Sequence, residues 1–364
     1  MFPPRMQATK GLKEDFFSLQ EAISQVMEIE EIGWEVESLR LVGRFYPFLL
    51  QPALALREKL APFGYPYHLQ RSGERMILRL WEERRIKERP TWPLNLFLFL
   101  LTLISTLYAG ALQEGGNPFR HLLDLRRGIP FSFTLMAILG IHEFGHYFVS
   151  SRHHIRVSLP YFIPAPSILG TFGAFIKMKS PVPDKRTLLD IGIAGPLAGF
   201  AVALPALIVG LMLSRVTPAA KAEGLNLGSS LLLNLLSHLI VRPIPPNYDL
   251  ILHPVAFAGW IGTLVTALNL LPLGQLDGGH VAYALLGRKQ HLVARFTFFA
   301  LIFMGFLWQG WLLWALLTLL MGIRHPALLD DWTPLDHRRK ALGLLAFLIF
   351  ILCFIPVPFE VRLP

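Results

Sequence analysis

His142-Glu143-Phe144-Gly145-His146 lies inside an apolar run, residues 130–150, that is long enough to cross a bilayer. Ionisable side chains are costly in hydrocarbon, so a cluster of them there marks a functional site by default. On a helix, two histidines four residues apart share one face, and their imidazoles can grip a single metal ion. Glu143 stands beside them as a base for water. The bland alternative is a histidine pair satisfied by neighbouring helices. Gly145 is a poor helix former, but it lets another backbone approach closely.

Outward from this run, six more apolar segments follow the same membrane logic: about 94–112, 187–213, 250–272, 293–308, 310–323 and 341–358. A further run at 229–241 is too short to span and reads as interfacial or re-entrant. The fifth and sixth segments adjoin at Gln309-Gly310 and suggest a tight hairpin or a partial span. The chain is 53% hydrophobic with mean hydropathy +0.47, which places it in the multi-span membrane class. The net charge of +9 does not point to nucleic acid, because the basic residues are spread along loops. With the N-terminus in the cytoplasm, cytoplasmic connections carry sixteen Lys and Arg against seven on the other side. The ends of segments two and four then emerge together near the cytoplasmic face. Arg324 and Arg338-Arg339-Lys340 read as topology anchors. Cys353 is the single cysteine, which excludes an internal disulfide and a cysteine metal site.

Residues 1–90 differ from the rest, being charged and mixed. Helical periodicity is expected near Phe16–Met27 and Leu50–Leu60. Strands are expected over Ser38–Tyr46 and Tyr65–Trp81, with a hairpin turn at Ser72-Gly73. This describes a small soluble α+β domain, joined to the membrane by the basic run 84–89. Met1–Arg5 show no secretory signal pattern.

Catalytic zinc usually takes three protein ligands and leaves one position open. The best third candidate is Asp277 in Leu276-Asp277-Gly278-Gly279-His280, a carboxylate flanked by glycines that permit a turn; a plain turn aspartate is the alternative. His280, His153 and His154 are weaker rivals. His253 reads as a capping or interface histidine, and Gln275 as a shaper of the turn.

Gly140–His146, the segment Asn269-Leu270-Leu271-Pro272-Leu273-Gly274-Gln275-Leu276-Asp277-Gly278-Gly279-His280, and Gly195-Pro196-Leu197-Ala198-Gly199 between them together resemble the site-2 protease family of intramembrane zinc metalloproteases. The likeness covers about residues 94–325. It implies a polytopic α-helical membrane protein, with a site-2 protease-like transmembrane core at 91–325, a small soluble α+β domain at 1–90 and a C-terminal transmembrane segment at 326–364. It implies one Zn²⁺ per chain held by His142, His146 and Asp277, with Glu143 as general base and Asn269 facing the scissile bond. The strand-like, glycine-bearing stretch that begins Gly170-Thr171-Phe172-Gly173 would offer an edge to an unwound substrate.

The implied partners are transmembrane protein substrates and membrane lipid, and the implied activity is regulated intramembrane proteolysis near the cytoplasmic face. The N-terminal domain is similar to that of the plastid and cyanobacterial-type branch. With no transit-peptide pattern, a bacterial cytoplasmic membrane is expected. The residues alone leave open a non-proteolytic membrane zinc hydrolase, or a transporter with a polar ion path.

Overall fold

The computed structural model describes residues 10–360 except 36–37, 50–51, 83–89, 219–225, 242–243, 246, 324, 326–327, 329 and 331–332. The N-terminal stretch 1–5, the basic run 84–89 and Arg324 therefore lie outside the described residues.

The chain divides into two compact units. The first comprises residues 1–89 with two short later pieces, 181–186 and 327–335. Its helices are α1 (Lys10–Glu14), α2 (Phe16–Ser24) and α3 (Pro52–Leu60). Its strands are β1 (Met27–Trp34), β2 (Ser38–Phe45), β3 (Tyr67–Ser72) and β4 (Arg75–Trp81), paired antiparallel in the order β1-β2-β4-β3. Gly73 supplies the positive φ that the β3–β4 turn needs. Alternating residues Leu39, Leu41, Leu69, Met76, Leu78 and Leu80 meet Leu19, Ile23 and Leu56 in a closed apolar core. Strand β1 departs from expectation, because Met27 begins a strand rather than ending a helix. Its glutamates mask the alternation, and they are answered across the sheet: Glu30 by Arg44 and Arg75, Glu31 by Arg40.

The second unit contains α4 (Trp92–Gln113), α5 (Ile129–Arg152), the hairpin β5 (Tyr161–Pro164) and β6 (Thr171–Phe175), and most of α6 (Lys185–Leu213). Next come β7 (Arg215–Pro218), β8 (Asn226–Leu227), α7 (Leu231–Ile240) and β9 (Tyr248–Ile251). They are followed by α8 (Pro254–Asn269), α9 (Asp277–Leu286), α10 (Gln290–Met304), α11 (Gly310–Met321), α12 (His337–Cys353) and β10 (Phe359–Glu360). Among the described residues, α4, α5 with its leading turn, and α6 are long and apolar enough to cross a membrane. The 16 residues of α8 reach about 24 Å, short of a hydrocarbon core of about 30 Å. Helices α10 and α11 hold 15 and 12 residues. The 10 residues of α7 are likewise too few to span.

Lipid gives helices no hydrophobic reason to associate, so close backbone contact and interhelical hydrogen bonds do the work. A Cβ on Gly210 would lie 2.1 Å from the Ala256 nitrogen, and one on Gly259 would lie 2.7 Å from that of Leu207; α6 and α8 thus touch backbone to backbone. Helices α4 and α5 are joined by Thr106 Oγ1 and Ser132 Oγ, 2.7 Å apart. His253 caps α8, its Nδ1 accepting the Val255 N–H.

Candidate metal centre

Helix α5 places His142, Glu143 and His146 in the interior, where all three are buried. Helix α8 ends at Asn269. Residues 270–276 then turn back on themselves, and α9 opens with Asp277 as its first residue. Gly278 and Gly279 make this turn feasible, since a Cβ on Gly278 would sit 2.0 Å from the Leu270 carbonyl oxygen. A carboxylate in the first turn of a helix is also favoured by the helix dipole.

These elements bring three ligand atoms together. His146 Nε2 lies 3.2 Å from His142 Nε2 and 3.2 Å from Asp277 Oδ2. His142 Nε2 lies 3.4 Å from the same oxygen. His142, His146 and Asp277 form a group able to hold a metal ion. A tetrahedral ion with ligand bonds of about 2.0–2.1 Å sets its ligand atoms roughly 3.3 Å apart. The observed triangle has that size, so the donor set fits zinc.

The fourth wall is α6. His146 Nδ1 lies 2.8 Å from the Ile191 carbonyl oxygen. A carbonyl only accepts, so Nδ1 carries the hydrogen and Nε2 of the neutral ring turns its lone pair toward the other two ligands. Gly195 lies directly against the same ring, where a Cβ would come within 2.0 Å of Nε2. Gly199 faces His142, and Gly145 meets the Ala194 carbonyl. The glycines at both ends of the Gly195–Gly199 stretch thus have a steric reason.

Glu143 Oε1 lies 4.0 Å from His142 Nε2. Asn269 Nδ2 lies 3.2 Å from His142 Nε2. The four strand candidates are placed unequally. Gly170, at φ +74°, packs against the α4 backbone at Ser105, whose Oγ donates to the Gly170 carbonyl. Thr171 is buried and its hydroxyl donates to Ile163 O. Phe172 is exposed, and Gly173 at φ +105° has open space about it.

The rival ligands are engaged elsewhere. His280 Nδ1 meets His325 Nε2 at 2.7 Å, His153 meets Asp190, and His154 sits in a left-handed turn. Gln275 donates to the Met321 carbonyl at 3.4 Å. The Ile191 carbonyl escaped the sequence reading because every residue has one.

Residues 130–308 match the model of peptidase family M50. The chain is 34% identical over 318 residues to "Probable zinc metalloprotease EGY1, chloroplastic" of Arabidopsis thaliana, covering 79% of this chain and 58% of the relative. Its identity to the protein of the same name from Oryza sativa subsp. japonica is 31%, covering 79% and 55%. Against "Probable zinc metalloprotease EGY2, chloroplastic" of Arabidopsis thaliana it is 28%, covering 72% and 47%. The chain therefore spans about half the length of the curated relatives it matches. No solved structure gives a significant match. The matched region contains both histidines, Glu143, Asn269 and Asp277, and the alignments to the two EGY1 relatives each cover 79% of the chain: the chain belongs to peptidase family M50, the site-2 protease family.

Proposed function

We propose that this chain is a zinc-dependent intramembrane endopeptidase that cuts transmembrane helices of membrane proteins close to the cytoplasmic face. The observation that carries the reading is the triangle of His142 Nε2, His146 Nε2 and Asp277 Oδ2, with edges of 3.2–3.4 Å beside a buried glutamate. The family match and the printed names of the relatives support the protease class and zinc. In this reading residues 91–325 are the catalytic core, 326–364 add a membrane segment, and the 1–90 domain lies on the cytoplasmic, Lys- and Arg-rich side.

His142, His146 and Asp277 would hold one zinc. When bound, the ion acidifies water to a pKa of about 7 and polarises a carbonyl. Glu143 accepts a proton from the attacking water and hands it to the departing amine. The Asn269 amide donates to the oxygen of the scissile carbonyl, a role supported by its position 3.2 Å from His142 Nε2. A transmembrane helix hides its peptide bonds in its own ladder, so the substrate unwinds before cleavage. The Thr171–Phe175 strand then receives it by backbone pairing along β6, with the exposed Phe172 beside the substrate and Gly170 and Thr171 as anchors of the strand.

Glu143→Gln tests the assignment. The variant is expected to keep its zinc and to lose cleavage of a reconstituted helix substrate by at least about 10²-fold. Cleavage at the wild-type rate would remove Glu143 from its role. Turnover of a lipid-like ester but of no helix would favour a non-proteolytic hydrolase, and solute flux through reconstituted vesicles would favour a transporter.

A further inference from the structure

One polar cluster in the membrane-helix unit is not used by the mechanism above. Asp190, on α6, is gripped by Arg339 of α12 through two parallel bonds, Nε to Oδ1 at 2.8 Å and Nη2 to Oδ2 at 2.6 Å. His153, the residue that caps the metal helix α5, places Nε2 3.0 Å from Asp190 Oδ2. Arg339 is held in turn by Asp336, which caps α12. Three helices therefore meet at one carboxylate, and its chain neighbour is Ile191, whose carbonyl holds His146.

The position matters because α6 touches His146 at two points that tolerate no movement. The Ile191 carbonyl must stay within hydrogen-bond reach of Nδ1, and the Gly195 backbone already lies against the ring. A small rotation of α6 about its axis would lengthen the first contact or drive the second into the imidazole. A forked Arg–carboxylate pair has the directional stiffness to oppose such a rotation, which a lone ammonium lacks.

We propose that Asp190 and Arg339 are positioning residues for the metal centre. Their ion pair fixes the turn of α6 that presents the Ile191 carbonyl and the Gly195 backbone to His146. The proposal rests on the zinc site proposed above, and it gives Arg339 a task beyond anchoring the topology. Groups that orient a metal-bound histidine commonly change metal affinity by about 10- to 100-fold when lost.

The test uses the full chain in detergent. Zinc affinity is measured by competition with a chromophoric chelator, alongside thermal unfolding of the metal-stripped protein. Asp190→Asn is expected to weaken zinc by about ten-fold or more. Arg339→Lys, which keeps the charge and loses the fork, is expected to weaken it several-fold and to leave the metal-free unfolding temperature unchanged. If Asp190→Asn does not fold, Arg339→Lys decides. Affinity within two-fold of wild type in the variants that fold overturns the proposal. So does a loss of affinity accompanied in Arg339→Lys by an equal loss of metal-free stability, which would make the pair a general brace. A wild-type chain with no affinity for zinc overturns the metal site itself, and is told apart by that.

Discussion

In the N-terminal unit Leu19, Leu41, Leu56 and Leu78 meet side chain to side chain, whereas around His146 the tightest approaches come from backbone that carries no side chain at all. Water explains the first pattern, since burying aliphatic surface is worth about 25 cal/mol per Å². Lipid explains the second. Where solvent and interior are equally apolar, contact depends on shape, and glycine gives the closest shape available. Losing bulk should therefore damage the N-terminal unit, and gaining bulk should damage the metal centre.

The sharpest break is Gly195→Ala. Its added Cβ would fall 2.0 Å from His146 Nε2, so a single methyl displaces a ligand. Zinc affinity measured by chelator competition should fall by more than about 100-fold. Retention of wild-type affinity would mean that α6 yields easily. In the other unit the opposite change applies. Leu78→Ala empties a fully buried position and should cost about 2–5 kcal/mol in denaturant unfolding, with zinc content unchanged. Zinc lost in parallel would show that the two regions are not independent.

A smaller effect sharpens the same contrast through pH. His68 lies in β3 opposite Arg79 of β4. Burial, and then the neighbouring guanidinium, hold its pKa below the ordinary value, which is about 6.5. The unfolded chain thus takes up this proton first. The contribution of His68 to stability is complete above about pH 6.5 and declines as pH falls toward the folded-state value. His68→Gln should flatten that slope in acid unfolding of the N-terminal unit. An unchanged slope would assign the acid sensitivity to other groups.

Legibility in the sequence followed the same division. The apolar runs announced α4, α5, α6, α8, α10, α11 and α12, because an apolar helix is legible from hydropathy alone, whether or not it is long enough to span. The i,i+4 histidines were readable because helical geometry is local. Strand β1 was not, since Glu28, Glu30 and Glu31 on an edge strand hide the period of two. Helix α9 was hidden by the glycines that begin it, although those glycines are what turn Asp277 back toward α5. The Gly195–Gly199 stretch was visible as a pattern without its cause, which appears only when the ring of His146 is seen against it. Asp190 and Arg339 are 149 residues apart, and no spacing rule connects them.

The convergence of α5 and α9 on one metal ion is best examined by counting zinc, by mass spectrometry, in the purified chain and in a variant with His142, His146 and Asp277 all replaced by alanine. About one zinc per chain in the wild type and almost none in the variant is the expected result. Equal zinc in both proteins, or a wild type that neither carries zinc nor takes it up when supplied, would contradict it.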